Sequence, residues 1–230
     1  VSQLAINPPP RRRAERVADL CVLFCGLVLG FVASVVLEAA ALARRELSLI
    51  IATSVYSTAL LTMLGASLAY HAAVGSPRRL LLRRLDHAAI FAMIAGTATP
   101  FAIARGSIVS ALGLAAAIWA VAAVGIAAKL RLPIGSVRRS AIPYLLLGWL
   151  SLGAVSPSTS HESALLIAAG GGFYTVGVGV YLWRRLPFHT AIWHAFVLAG
   201  VACHYLAIIE GIVLDSRSLT ALLSRLAASI

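Results

Sequence analysis

Three of the six histidines, His189, His194 and His204, fall inside one apolar stretch, 188–205. An ionisable ring in a hydrophobic helix is costly unless a partner or ligand satisfies it. Ser67 and His71 lie one helical turn apart in another apolar run, and Asp86-His87 opens a third. Three imidazoles and a water make an open tetrahedral zinc site. Zinc lowers the pKa of bound water to ~7 and polarises a carbonyl. A carboxylic acid beside it can take the proton from that water and return it to a leaving group. The residue types therefore suit metal-assisted hydrolysis, with His71, His189 and His194 as candidate ligands. Asp86 is the candidate proton carrier, and Ser67 is placed to steady a substrate oxygen or ligand water.

These residues must be positioned by membrane helices. The chain has 230 residues, 60% of them hydrophobic and 12% charged, with a mean hydropathy of +0.93. A soluble domain is nearer a quarter charged. Spans need ~20 mostly apolar residues, and seven segments qualify or come close: 20–42, 47–74, 87–104, 108–130, 141–155, 163–183 and 190–214. The fold expected is an all-α seven-helix transmembrane bundle over 20–214. A cytoplasmic N-terminal segment, 1–19, precedes it, with Pro8 to Pro10 leading into Arg11 to Arg13. The first apolar run is too long for a signal-peptide core and reads as a retained helix. The tail, 215–230, carries Leu219, Leu222, Leu223 and Leu226 at helical spacing, and reads as an amphipathic interfacial helix.

The net charge of +11 follows topology. Alternate loops collect 14 basic residues on one side and 5, among them Arg105, Arg217 and Arg225, on the other. The richer side should be cytoplasmic, which puts the N-terminus inside and the C-terminus outside. Short basic clusters between apolar spans argue against a nucleic-acid partner. Cys21, Cys25 and Cys203 all fall in apolar segments, imply no disulfide framework and read as buried small hydrophobes.

With that orientation Ser67, His71, Asp86, His189 and His194 share one depth, near the cytoplasmic leaflet. His204 lies ten residues past His194, ~15 Å deeper, and reads as a buried hydrogen-bonder to another helix. His189 and His194 are five apart, about 140° around an ideal helix. An irregular first turn after Pro187, or a π-bulge, would let both face inward. Asp86 reads equally as the cap of its helix. Glu38 and Glu210 lie in the outer half, either snorkelling, partnered or in a polar cavity.

The sequence resembles the hemolysin III family, bacterial members of the progestin and adipoQ receptor superfamily. The resemblance rests on Ser67-Leu68-Ala69-Tyr70-His71, on Leu85-Asp86-His87-Ala88-Ala89-Ile90-Phe91 running to Thr99-Pro100-Phe101, and on the stretch from His189 to His204. It implies seven helices with the N-terminus inside and a zinc ion held by three histidines of helices 2 and 7. His71 and His194 match two of them. The superfamily commonly has two histidines four apart on helix 7. Thr190 stands at the other place here, and His189 is the nearest substitute. A histidine found early in helix 1 of many relatives is absent. Asp86 matches the acidic position near the zinc, and Ser67 the helix-2 serine.

Relatives in the superfamily include adiponectin receptors and alkaline ceramidases, which point to a zinc-dependent hydrolase of ceramide-like lipid amides in the bacterial inner membrane. Two other functions follow from the same residues or name. One is a sensor or regulator in which zinc only ties helices together. The other is a cytolysin, for which the apolar helices supply little.

Overall fold

A computed structural model describes residues 13–104, 108–132, 137–155 and 159–213. The triple proline with Arg11 and Arg12, Arg105, and the tail with Arg217 and Arg225 lie outside the described residues. So do most of the 1–19 segment and the whole of 215–230.

Seven α-helices and no strand occur among the described residues: α1 (Arg13–Arg44), α2 (Leu47–Ala72), α3 (Arg79–Ile103), α4 (Ile108–Arg131), α5 (Val137–Leu150), α6 (His161–Leu182) and α7 (His189–Ile208). A 3-10 turn (Ser151–Ala154) extends α5, and a π-turn (Ile209–Val213) extends α7. Among the described residues six helices are long and apolar enough to cross a membrane; the apolar part of α5, Ala141–Gly153, is shorter. Neighbours in sequence pack together from α1 to α4 and from α6 to α7, and α1 closes the bundle against α7.

Helix ends differ from the apolar runs for a simple reason. Hydropathy marks what lipid covers, whereas Arg is a good helix former and does not stop a helix. Thus α1 starts at Arg13, seven residues before Leu20, and α3 starts at Arg79, eight before His87. Asp86 is therefore two turns inside α3 rather than its cap.

Small residues share the inward face of α1 with two leucines. The buried stripe of α1 is Asp19, Leu23, Gly26, Gly30, Ser34, Leu37 and Ala41. Helices in lipid associate by close packing rather than by a hydrophobic driving force. A Cβ at Gly26 would come within 2.6 Å of Leu198 on α7, and one at Gly96 within 2.6 Å of the Ala59 Cβ on α2. Val109, Val124 and Leu150 are more than two-thirds exposed on the outer surface. Cys21 and Cys25 lie on the exposed face of α1 and Cys203 is half-buried, so the expectation of buried thiols fails.

Glu38 is partnered. Its carboxylate accepts hydrogen bonds from Thr53 (3.2 Å), Ser54 (3.1 Å) and Ser57 (3.0 Å), all on α2. Hydrogen bonds to a charged group contribute roughly 1.5–3 kcal/mol, with interhelical bonds in membranes toward the low end. Glu38→Ala should cost about 1–2 kcal/mol, and Glu38→Gln less, read as a fall in melting temperature in detergent. An unchanged melting temperature for the Ala variant would remove this clamp from the account of stability.

Candidate metal centre

Three helices deliver one buried cluster. Asp19, in the second turn of α1, is 1% exposed. His71 stands near the end of α2, and His194 in the second turn of α7. Asp19 Oδ2 lies 2.6 Å from His71 Nδ1, and Asp19 Oδ1 lies 2.6 Å from His194 Nδ1. The two rings meet edge to face, with centroids 4.8 Å apart and planes at 87°. Ser67 Oγ is 3.5 Å from His194 Nε2. The carboxylate thus bridges two imidazoles through charge-assisted hydrogen bonds, each Nδ1–H donating to one oxygen.

The cluster opens on a cavity of about 200 Å³. Ser67, His71, Asp86 and His194 line it, with Met93, Ile94, Val197 and Leu198 among its apolar walls. No Lys or Arg is among its described lining residues.

One ligand atom from each of Asp19, His71 and His194 falls within 4.8 Å of the others, a spacing that could hold a metal ion. Carboxylate and imidazole are ordinary zinc donors. Donors on a tetrahedral zinc sit about 3.3 Å apart, so the two short contacts would have to open by under about 1 Å. An ion there would take the imidazoles in the tautomer that carries the proton on Nε2, which frees each Nδ1 to ligate; in that form the donor set fits a divalent ion.

Of the residues singled out in the sequence, the structure brings Ser67, His71, Asp86 and His194 around one cavity. His189 is the first residue of α7, and its Nδ1 donates to Leu186 O at 3.2 Å, closing the preceding turn. It is not in the donor group with Asp19. The irregular backbone expected after Pro187 is at Phe188, which is left-handed with φ 57°; the π-turn lies at the other end of α7. His204 behaves as the buried hydrogen-bonder expected, its Nε2–H donating to Ile167 O of α6 at 3.2 Å. His87 lines the same cavity, and its carbonyl accepts from Tyr144 Oη at 2.9 Å.

Asp19 is the residue that sequence reading missed. By hydropathy it falls in the polar flank, since the apolar run starts at Leu20. The available signal was its register: Asp19 is on the same face of α1 as Gly26, Gly30 and Ser34, and small residues mark the inward face.

The family model described as Haemolysin-III related matches residues 21–205. The chain belongs to this family. It is 33% identical over 201 residues to Hemolysin-3 of Bacillus cereus, covering 85% of this chain and 90% of that one. It is 34% identical over 165 residues to the Hemolysin-3 homolog of Bacillus subtilis (strain 168), covering 70% of this chain and 76% of that one. No solved structure gives a significant match. Asp19 lies just before the matched residues, whereas Ser67, His71, Asp86 and His194 lie within them.

This member of the haemolysin-III related family also carries Thr190, one turn before His194. It is buried, lines the cavity, and its Oγ1 makes no hydrogen bond.

Proposed function

We propose that the chain is a zinc-dependent hydrolase of membrane lipid amides, with a ceramide-like substrate. The carrying observation is the buried Asp19–His71–His194 donor group beside an apolar cavity that also presents a second carboxylate, Asp86. Asp19, His71 and His194 would hold the ion. Zinc bound there supplies a Lewis acid and water ionised near neutral pH.

The chain's own residues do the rest. Met93, Ile94, Val197 and Leu198 take the apolar part of the lipid and keep bulk water away. The Asp86 carboxylate accepts a proton as water attacks the amide carbonyl, then gives it to the leaving amine. Ser67 Oγ donates to the developing oxyanion.

The proposed setting is a seven-span arrangement with α5 as the shortest span, N-terminus in the cytoplasm, in a bacterial inner membrane. The 14-to-5 division of basic residues supports that orientation. It puts the centre near the cytoplasmic leaflet. Arg79 stacks there over the Tyr70 ring, 5.6 Å from its centroid, beside His71.

Asp86→Asn tests the chemistry. The variant should keep the wild-type metal content and lose about 10²–10⁴-fold in hydrolysis of a lipid amide. Metal content is read by elemental analysis and turnover by released fatty acid. Unchanged turnover removes Asp86 from the mechanism. A wild-type protein that carries zinc and leaves a panel of lipid amides intact sinks the hydrolase reading. One observation favours a second reading, a zinc-stabilised sensor or regulator without catalysis: Asp19 ties α1 to both α2 and α7 through the two 2.6 Å contacts. In that case Asp86→Asn leaves function intact while loss of metal abolishes it.

A further inference from the structure

A second cavity, of about 640 Å³, lies between α3, α4 and α5. Its walls are apolar, with Phe91, Ile118, Val121, Leu146 and Leu150 along them. Arg83 and Arg84 of α3 and Lys129 of α4 line it together with His87, and no Asp or Glu is among its described lining residues. The basic groups gather toward one end. Arg84 Nη1 donates to Leu130 O, which joins the start of α3 to the end of α4. From Lys129 back to Ile118 along α4 is ~16 Å, enough for much of an acyl chain.

One detail shows that the cationic end is incompletely satisfied, and a second how its other cation is held. Arg84 Nε is buried and makes no hydrogen bond. A buried donor on a charged group without an acceptor is costly. Lys129 Nζ rests over the Tyr144 ring, 4.9 Å from its centroid, so its charge faces an aromatic surface of α5. Basic pockets between transmembrane helices bind anionic head groups.

We propose that this groove binds an anionic glycerophospholipid. Its phosphate meets Arg84 and Lys129, and an acyl chain lies along Phe91, Ile118, Val121 and Leu146. The charge complementarity selects the anionic class, and the apolar walls select a lipid over a soluble phosphate. None of Asp19, His71 and His194 lines this groove, which shares His87 with the first cavity.

Delipidated protein in detergent, equilibrated with equal amounts of phosphatidylglycerol and phosphatidylcholine, tests this by native mass spectrometry. The wild type should retain phosphatidylglycerol over phosphatidylcholine by about tenfold. The Arg84→Gln/Lys129→Gln variant should reduce that ratio to near one. Val121→Trp fills the apolar part without touching charge, at an outward position, and should lower retention of phosphatidylglycerol severalfold. It also keeps the proposal testable if the double variant elutes as an aggregate. Glycerol 3-phosphate should fail to displace the lipid. Equal retention of both lipids by the wild type overturns the proposal. So does a preference that survives either variant, or displacement by glycerol 3-phosphate at the lipid's own concentration.

Discussion

Asp19→Asn, purified beside the wild type, should carry less than about a tenth of its zinc. Loss of a partner that only supports a ligand already costs about 10–100-fold in metal affinity, so loss of a direct donor costs at least ~100-fold. Asn keeps the shape of Asp and can still accept one hydrogen bond from His71 or His194. It cannot supply the negative charge that two imidazoles and a divalent ion require. Because Asp19 is 1% exposed and 2.6 Å from both rings, water cannot replace it. Hydrogen bonds to a charged group contribute roughly 1.5–3 kcal/mol, so the melting temperature of the metal-free variant should fall as well. The two readouts separate the roles. Full zinc content with a lowered melting temperature would make Asp19 a clamp between helices and not a ligand. Unchanged values for both would remove it from the centre altogether.

Thr190→His should restore zinc to the Asp19→Asn chain. Residues 190 and 194 are four apart on α7, so their side chains share a face, the spacing used for paired histidine ligands on a helix. Thr190 already lines the cavity and is buried, and its hydroxyl makes no hydrogen bond. The larger ring has the adjoining space of about 200 Å³ to enter. The double variant should return to about one zinc per chain, with an affinity at least tenfold above that of Asp19→Asn alone. A double variant as poor in zinc as the single one, yet monodisperse and folded, would show that position 190 cannot reach the ion. The carboxylate from α1 and an imidazole from α7 would then not be interchangeable solutions to the same third position.

Part of this centre was legible in the sequence. Ser67, His71, Asp86 and His194 could be brought to one level by counting spans and basic loops, because a helix of known rise in a layer of known thickness fixes depth. Depth is not direction. His189 and His194 are at similar depth, yet five residues of helix separate their faces, and the Nδ1 of His189 turns back to Leu186 O. Asp19 has the opposite history. Its neighbours in sequence are polar enough to suggest a flank, while α1 extends beyond the apolar run and carries it inside.

Composition and the lengths of the apolar runs by themselves determined a helical membrane protein, since backbone polar groups in lipid must be satisfied within each segment. The motif residues determined its family, and span counting grouped Ser67, His71, Asp86 and His194, which line one cavity in the structure. Only the tertiary structure brought Asp19 between His71 and His194. Which face of α1 turns inward is set by packing: Gly26 fits under Leu198, Gly30 lies against Leu64, and that rotation of α1 points Asp19 between His71 and His194. A pairing between residues 175 positions apart is a property of how helices touch, and no local pattern in one helix encodes it.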